Sequence, residues 1–287
     1  MSALEVRDEG RLRILTLNRP ERKNALNGEL IHGIPRAIRE ANADDDVWAI
    51  AITGAGQAFC SGLDLEMASA APAERPKPGA PADADADADG NAEASGSGGD
   101  GAAPGDDVDD THWALLMRVV CEKPVVAGIN GVAVGAGVSL AMNADIRIAA
   151  PSARFHPGYA RVGTSPDFGL TWTLLRAVGY ERALRFLLDQ RMILGREALE
   201  LGMVSEVVER DEHLEDRLIE YGTKLASVAP RAARQTKRLL VALDQPGDLA
   251  AHLDTEIDLA LRGLTSADGA EAIRAMLEGD TPKFTGR

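Results

Sequence analysis

Two short glycine-containing segments constrain the fold of this chain more than any other part of its sequence. They are residues 59–65 (FCSGLDL) and residues 131–139 (GVAVGAGVS), and each follows an apolar run typical of a β-strand. The second segment also leads into a helix-like stretch. Because glycine has no Cβ, both turns can present backbone N–H groups with no side chain in the way. Two such donors aimed at one point would stabilise a developing oxyanion, so the pair predicts a main-chain anion site.

Strand-like and helix-like segments alternate along the chain, which indicates the α/β class. The sequence predicts strands at 12–17, 47–53, 125–129, 146–149 and 204–208, and helices at 27–42, 137–143, 165–178 and 180–188; the apolar run is clearest at 47–53 and the helical periodicity at 27–42. Pro35 either kinks the helix over 27–42 or marks its true start. A further helix is predicted after Thr111, with an apolar stripe of Trp113, Leu116, Met117 and Val120. Helices dominate from Glu212, so we expect a core over 1–210 and a C-terminal helical region over 211–287.

Acidic residues dominate the charge of the chain, and many of them lie in one stretch. The net charge of −14 argues against binding to nucleic acid or to an anionic membrane surface. Residues 68–110 contain eleven Asp and Glu against Arg75 and Lys77, which leaves −5 for the rest of the chain. This stretch has Ala-Asp repeats and almost no large apolar residue. We expect a flexible insertion there, or alternatively a lid, since it follows the first glycine segment.

The two cysteines and the N-terminus favour a cytoplasmic location. Cys60 and Cys121 have no metal-ligand spacing and are expected to be free, buried thiols in a reducing compartment. The first residues are polar and lack the apolar core of a signal peptide. No apolar run approaches the length that crosses a bilayer. The sequence therefore predicts neither a metal site nor a membrane partner.

Several motifs outside residues 68–110 resemble those of the enoyl-CoA hydratase/isomerase (crotonase) superfamily. They are residues 17–20 (LNRP), 22–26 (RKNAL), 58–65 (AFCSGLDL), 123–131 (KPVVAGING), 135–139 (GAGVS), 144–145 (AD) and 282–287 (PKFTGR). The resemblance implies a spiral of repeated ββα units with a C-terminal helical region that mediates oligomerisation. It also implies homotrimers or homohexamers and acyl-CoA thioester substrates. Coenzyme A would enter as part of the substrate, with no separate cofactor.

The resemblance assigns roles to both glycine segments. It places the oxyanion donors on the N–H groups of Leu63 and Ala136, and Ala136 also stands where a helix is predicted to begin. It further places Ser61, Gly62, Asp64 and Gly135 among the substrate-binding residues. The alternative is that these glycines serve only tight turns and close helix–strand packing.

A basic pair matches the place where the family meets the adenosine-phosphate end of coenzyme A. Arg22 and Lys23 carry the charge that suits a phosphate, and Ala25 resembles a position whose backbone lies near the adenine. The alternative is a solvated basic pair in a surface turn. The resemblance thus predicts that Arg22, Lys23 and Ala25 bind substrate.

The two glutamates that family hydratases use are absent from this chain. Hydration of an enoyl thioester needs one carboxyl group to activate water and another to deliver a proton. In hydratases of the family both groups are glutamates, and the resemblance matches their positions to Ser139, two residues after the second glycine turn, and to Tyr159. A serine without an activator and an ordinary phenol are poor bases near pH 7. Simple hydratase activity is therefore doubtful, and both residues are kept as substrate-binding candidates.

Asp167 is the alternative proton carrier. Its segment resembles isomerases of the family that act on dienoyl-CoA or on ring-derived acyl-CoA from phenylacetate breakdown. One carboxylate can move a double bond if it takes a proton from one carbon and returns it two carbons away. The competing interpretation is a helix start, with Ser165 as N-cap and Pro166 at the first position. His156 is a further substrate-binding candidate, although a pocket-wall or core histidine is the simpler interpretation.

Three functional hypotheses follow from these residues. The leading one is an acyl-CoA double-bond isomerase with Asp167 as proton carrier and Leu63 and Ala136 as donors to the enolate. The second is an enoyl-CoA hydratase or related lyase that uses water held by Ser139, Tyr159 or another carboxylate. The third is a non-catalytic subunit that binds acyl-CoA. Fold alone does not separate them.

Overall fold

Two β-sheets organise the chain in the computed structural model, which describes residues 2–64, 113, 116–162, 165–243 and 266–286. These described ranges contain ten strands, namely β1 (Leu4–Glu9), β2 (Leu12–Leu17), β3 (Ala49–Gly54), β4 (Ala58–Cys60), β5 (Val125–Ile129), β6 (Val132–Val134), β7 (Ile146–Ala149), β8 (Arg154–His156), β9 (Ile193–Leu194) and β10 (Glu206–Val207). The larger sheet has the order β1-β2-β3-β5-β7-β10, and the smaller has the order β4-β6-β8-β9. Among these ten strands, the β1–β2 and β8–β9 pairs are antiparallel and the other pairs are parallel.

From β3 to β8, successive strands alternate between the two sheets. In each of the pairs β3–β4, β5–β6 and β7–β8, the first strand joins the larger sheet and the second joins the smaller one. Because every pair advances one position in both sheets, the chain winds as a spiral. Strands β4 and β6 are parallel neighbours, so the turns of the two glycine segments, which follow these strands, lie at the same end of the smaller sheet.

Eight helices surround the sheets in the described part of the chain. They are α1 (Gly28–Ala43), α2 (Ala136–Asn143), α3 (Leu170–Val178), α4 (Tyr180–Asp189), α5 (Gly195–Leu201), α6 (Leu214–Leu225), α7 (Pro230–Leu243) and α8 (Ala267–Glu278). The main core combines buried residues of α1 and α2 with residues of both sheets, and a second cluster packs Leu214 and Leu218 of α6 against residues of the larger sheet. Lys237 of α7 donates to the carbonyls of Met117 and Lys123 and pairs with Asp145 at 2.7 Å. The C-terminal helices are thus anchored to the core.

Most of the predicted long elements are present. Strands β2, β5 and β7 have the predicted bounds, and α1 begins one residue later than predicted. Asn27 is its N-cap, with a side chain that accepts from the Leu30 N–H at 3.1 Å. Pro35 lies inside α1, so it neither begins nor ends the helix. Leu116–Val120 forms a π-helical turn that buries Leu116 and Met117.

Two predicted elements are wrong in their bounds. The helix predicted over 165–178 starts at Leu170, with Gly169 as N-cap, so the segment from Ser165 to Asp167 is not a helix start. Phe168 and Gly169 have φ values of 49° and 79°, and this left-handed pair prevents the helix from extending backwards. The strand predicted over 204–208 contains only Glu206–Val207.

Some predictions fall outside the described residues. They include the flexible insertion or lid over 68–110 and the N-cap at Thr111. Both cysteines are free and buried, as expected. Among the described residues, no helix combines the length and apolar character needed to cross a membrane. The domain division at residue 210 and the oligomerising role of 211–287 stay predictions.

Candidate active site

The two glycine segments meet at the ends of β4 and β6. Gly62 has a φ of 94°, a conformation that favours glycine. A Cβ at Gly62 would lie 2.8 Å from the Val134 carbonyl oxygen and 3.7 Å from the Ala136 nitrogen. The backbone of the first segment therefore lies directly against the start of the second, which leaves no room for a side chain between them.

The N–H of Leu63 is oriented by a bridge to the preceding loop. Leu26 pairs in parallel with Leu63, so the Leu26 N–H donates to the Gly62 carbonyl at 2.8 Å and the Asp64 N–H donates to the Leu26 carbonyl at 3.0 Å. In a parallel pair the residue between these two bonds directs its own N–H away from the partner strand. The Leu63 amide is thus presented on the side opposite Leu26.

Ala136 is the first residue of α2, which confirms the predicted helix start there. Gly135 is the N-cap, with φ 52° and ψ −121°, and its carbonyl accepts from the N–H groups of Val138 and Ser139. The Ala136 N–H precedes these bonds and belongs to the first turn, whose amides have no acceptor within the helix. The positive end of the helix dipole reinforces this donor.

Close packing fixes α2 against β4. A Cβ at Gly137 would lie 2.1 Å from the Cys60 carbonyl oxygen, a distance that no side chain can occupy. Burial raises the pKa of the adjacent Cys60 thiol to about 12, so this cysteine is a packing residue rather than a nucleophile. The spacing between the Leu63 and Ala136 amides therefore depends on a glycine at 137.

A buried asparagine holds the loop that precedes the first glycine segment. Asn24 is fully buried with a φ of 56°; its Oδ1 accepts from the Arg19 N–H at 2.8 Å, and its Nδ2 donates to the carbonyls of Ala55 and Ala58. Arg19 donates to the Ala25 carbonyl at 2.5 Å and pairs with Asp64 at 3.0 Å. The loop and the Leu63 segment are thus one hydrogen-bonded unit.

Replacing Asn24 by alanine is expected to lower the free energy of unfolding by about 3 kcal/mol. The change removes the partner of the part-buried Arg19 N–H and Ala55 carbonyl, leaves the Ala58 carbonyl with Asn130 alone, and places alanine at a left-handed φ. Urea denaturation measures the loss. Asn18→Ala is the matched control, because the Asn18 side chain bonds to Glu5 at the surface and its loss should cost about 0.5 kcal/mol. Equal losses in the two variants would contradict this account.

The basic pair lies beside the first glycine segment. Arg22 ends a short 3-10 helix (Pro20–Arg22), and both Arg22 and Lys23 are exposed, whereas Ala25 is buried. The Ser61 N–H donates to the Lys23 carbonyl at 3.0 Å, and the Ser61 hydroxyl donates to the Arg22 carbonyl at 3.3 Å. Two exposed cationic residues therefore lie on a loop whose backbone is bonded to the first glycine segment at Ser61, two residues before Leu63.

Ser139, Tyr159 and Asp167 form one chain of hydrogen bonds. The Ser139 Oγ lies 2.6 Å from the Tyr159 phenol oxygen, and this phenol donates to Asp167 Oδ1 at 2.6 Å. Ser139 and Tyr159 are buried, and Asp167 is half-buried. The structure thus brings the two hydroxyls at the hydratase glutamate positions into contact with the proposed proton carrier.

The surroundings of Tyr159 keep its phenol neutral. Burial raises the pKa of Tyr159 well above its usual value, and the nearby Asp167 carboxylate raises it further because a phenolate there would repel it. The hydrogen bond from Ser139 lowers the pKa of Tyr159 by a smaller amount. A phenol in this state can donate a hydrogen bond to Asp167 but cannot serve as a base near pH 7.

The backbone of the Asp167 loop is held from two sides. The Leu170 N–H donates to the Asp167 carbonyl at 3.0 Å, and the Asn143 side chain donates to the Phe168 carbonyl at 2.8 Å. The ring of Phe168 stacks on that of Trp113, with centroids 4.3 Å apart. Asn143 lies four residues after Ser139, so the loop runs along one face of α2.

His156, the last residue of β8, makes contacts through both its side chain and its backbone. Its Nε2 lies 3.0 Å from the Gln190 carbonyl oxygen, and the side chain is buried. Its own carbonyl accepts from the Gly135 N–H at 3.1 Å. These contacts describe a residue that supports the Gly135 turn, and its role in substrate binding stays a prediction.

Four residues of the site were missed by sequence reasoning. Arg19 and Asn24 hold the basic loop, and Asn143 and Trp113 hold the Asp167 loop. Asn24 had a usable signal, since asparagine is enriched at left-handed positions in turns. The partners of Asn143 and Trp113 are distant in sequence and left no such signal. Among the described residues, no group of three His, Cys, Asp or Glu is arranged to hold a metal ion.

Comparison with known proteins identifies the family of the chain. The family model described as enoyl-CoA hydratase/isomerase matches residues 8–81 and 94–287. The chain belongs to the enoyl-CoA hydratase/isomerase family. Residues 82–93, between the two matched ranges, contain the Ala-Asp repeats. Membership confirms the resemblance found in the sequence and makes the protein a member of an enzyme family.

Relatives within the enoyl-CoA hydratase/isomerase family carry both kinds of name. The chain is 33% identical over 276 residues to the 1,2-epoxyphenylacetyl-CoA isomerase of Escherichia coli, covering 95% of this chain and 94% of that protein. It is 35% identical over 282 residues to a probable enoyl-CoA hydratase of Rhodobacter capsulatus, covering 96% and 95%. These similarities leave isomerase and hydratase both represented among its relatives.

The spiral is shared with solved structures of the enoyl-CoA hydratase/isomerase family. The crystal structure of a probable enoyl-CoA hydratase/isomerase from Mycobacterium abscessus superposes with a TM-score of 0.81 at 29% identity, and each chain is covered completely. The predicted crotonase-like α/β fold is therefore confirmed.

Proposed function

We propose that the protein is an acyl-CoA double-bond isomerase. Asp167 is its proton carrier, and the N–H groups of Leu63 and Ala136 stabilise the thioester dienolate. The observation that carries this proposal is the contact of Asp167 with Ser139 through Tyr159, because it joins a carboxylate to both positions where family hydratases have glutamate. One carboxylate beside two neutral hydroxyls suits a proton shuttle better than a two-carboxylate hydration.

The proposed reaction moves one proton and adds no atom. With a 3-enoyl-CoA, the Asp167 carboxylate takes a proton from C2, and the electron pair of the C–H bond delocalises onto the thioester oxygen. The Leu63 and Ala136 amides donate to that oxygen, each donor contributing about 3 kcal/mol in the transition state. The protonated Asp167 then returns its proton to C4, which yields the 2-enoyl-CoA. The reaction therefore consumes no water.

Incubation with defined thioesters tests the proposal against its alternatives. The enzyme is given 3-hexenoyl-CoA and, separately, crotonyl-CoA, and the products are resolved by chromatography and mass spectrometry. Isomerisation leaves the mass of the first substrate unchanged and shifts its elution. Hydration adds the mass of water to crotonyl-CoA and would favour the hydratase that one relative's name suggests. Tight binding with no turnover, including of 1,2-epoxyphenylacetyl-CoA, would favour a non-catalytic acyl-CoA-binding subunit.

Replacing both Arg22 and Lys23 by glutamine is expected to raise KM for acyl-CoA by about 10-fold with little change in kcat. The two exposed cations are proposed to contact only the phosphates of coenzyme A, which lie far from the reacting carbons. The matched control is the substrate itself: with a pantetheine thioester, which lacks the adenosine phosphates, variant and wild type should have equal kinetics. A KM effect that persists on the pantetheine thioester would contradict the assignment.

A further inference from the structure

The hydrogen bonds around Tyr159 have a fixed direction. An ionised carboxylate only accepts, so the single phenol proton of Tyr159 lies toward Asp167 Oδ1 at 2.6 Å. The phenol oxygen must then accept from Ser139, whose Oγ lies 2.6 Å away, compared with 3.5 Å from that Oγ to the Gly135 carbonyl oxygen. The order of donation is therefore Ser139 to Tyr159 to Asp167, with both protons directed toward the carboxylate.

The Ser139–Tyr159 pair is buried, which strengthens its action on Asp167. Ser139 is fully buried in α2, and Tyr159 is 6% exposed at the start of the turn that follows β8. Hydrogen bonds to a charged acceptor are shorter and stronger than neutral ones, and low local polarity strengthens them further. A donor to the charged form of an acid also favours that form over the neutral one.

We propose that Tyr159 is a positioning residue, which orients the Asp167 carboxylate and favours its charged form, and that Ser139 acts only through the Tyr159 phenol. This inference rests on the proposed function, in which Asp167 carries the proton. It gives the two residues at the hydratase glutamate positions a task in the isomerase site: they set the orientation and the working pH of a base that neither of them supplies.

Removing the phenol oxygen with Tyr159→Phe is expected to lower kcat by about 10- to 100-fold and to change KM by less than about 2-fold. The acidic limb of the kcat pH profile should move to higher pH, because the donor that favours the charged carboxylate is gone. Tyr180→Phe is the matched control, since Tyr180 is 71% exposed outside the site, and both its kcat and its pH profile should equal those of the wild type. A loss of kcat with an unmoved acidic limb would overturn the inference.

Ser139→Ala provides a second, independent variant. It should move the acidic limb in the same direction and lower kcat by less than Tyr159→Phe does. In the Tyr159→Phe background, Ser139→Ala should change kcat by less than about 2-fold, because Ser139 then has no phenol to act through. Independent, multiplicative losses in the double variant would show that Ser139 acts on its own and would contradict the proposed order.

Exchange of the C2 protons separates this inference from the isomerase proposal. In D₂O, the base and the oxyanion donors should introduce deuterium at C2 of butyryl-CoA, which has no double bond to move. If the wild type exchanges but does not isomerise 3-hexenoyl-CoA, the isomerase proposal fails, and a 10-fold slower exchange in Tyr159→Phe still supports the positioning role. Unchanged exchange in Tyr159→Phe overturns that role, and a wild type that neither exchanges nor isomerises overturns both proposals.

Discussion

Asp167→Asn is expected to lower kcat for 3-enoyl-CoA isomerisation by about 10²- to 10⁴-fold, the range that a lost general acid–base contributes. The amide keeps an oxygen that can accept from the Tyr159 phenol, so the hydrogen-bonded chain to Ser139 can persist. What the variant loses is the ability to take up and return a proton. We therefore expect the free energy of unfolding to be unchanged and the Kd for acyl-CoA to stay within about 2-fold of the wild type.

Two measurements on this variant separate chemistry from structure. Turnover is followed by chromatography of 2- and 3-enoyl-CoA, and binding by calorimetry with a saturated acyl-CoA that cannot react. Asp46→Asn is the matched control, because the Asp46 carboxylate is 95% exposed in the loop between α1 and β3 and should leave kcat unchanged. Full turnover by Asp167→Asn would remove the residue from the mechanism.

Gly137→Ala is expected to lower kcat by about 10²- to 10³-fold, similar to the loss of one oxyanion donor. The new Cβ would lie 2.1 Å from the Cys60 carbonyl oxygen, and that atom is backbone and cannot rotate away. The start of α2 must therefore move from β4, which separates the Ala136 amide from the Leu63 amide. We also expect the free energy of unfolding to fall by about 1–3 kcal/mol from overpacking.

Gly28→Ala is the matched control for this steric effect. Gly28 is also in the first turn of its helix, α1, but a Cβ there meets nothing within 4 Å. The control should keep its kcat and gain up to about 1 kcal/mol of stability, because alanine restricts the unfolded chain. If Gly137→Ala retains wild-type kcat, the spacing of the two amides does not govern the reaction.

Long apolar runs and the glycine motifs made much of the fold predictable. Strand β5 was predicted with its observed bounds, because it is buried along its whole length and its sequence is a continuous apolar run. Strands β4, β6 and β8 have three residues each, which is too short for a periodic signal. The spiral was therefore inferred from the family resemblance and not from the pattern of strands.

The chemistry of the site was only partly predictable. Residue types and motif positions singled out Ser139, Tyr159 and Asp167 separately, but nothing in the sequence placed their oxygens in one chain. That contact depends on the sheet, which brings Tyr159 after β8 next to α2, and on the left-handed backbone of Phe168, which ends the Asp167 loop. Phe168 is a large residue at a φ that such residues rarely adopt, so the sequence favoured a helix start there instead.

The buried Asn24 side chain also affects how the Leu63 amide is aligned for the reaction. Two of its hydrogen bonds join the basic loop to Ala55 and to Ala58, the first residue of the strand that leads to the Leu63 amide, and a third lies within the loop, so all three are made by the protein itself. The donor is therefore preorganised: its dipole is already aligned before the dienolate forms, so little solvent or backbone reorganisation opposes the reaction. Folding thus supplies in advance the ordering that substrate binding would otherwise have to impose on the site.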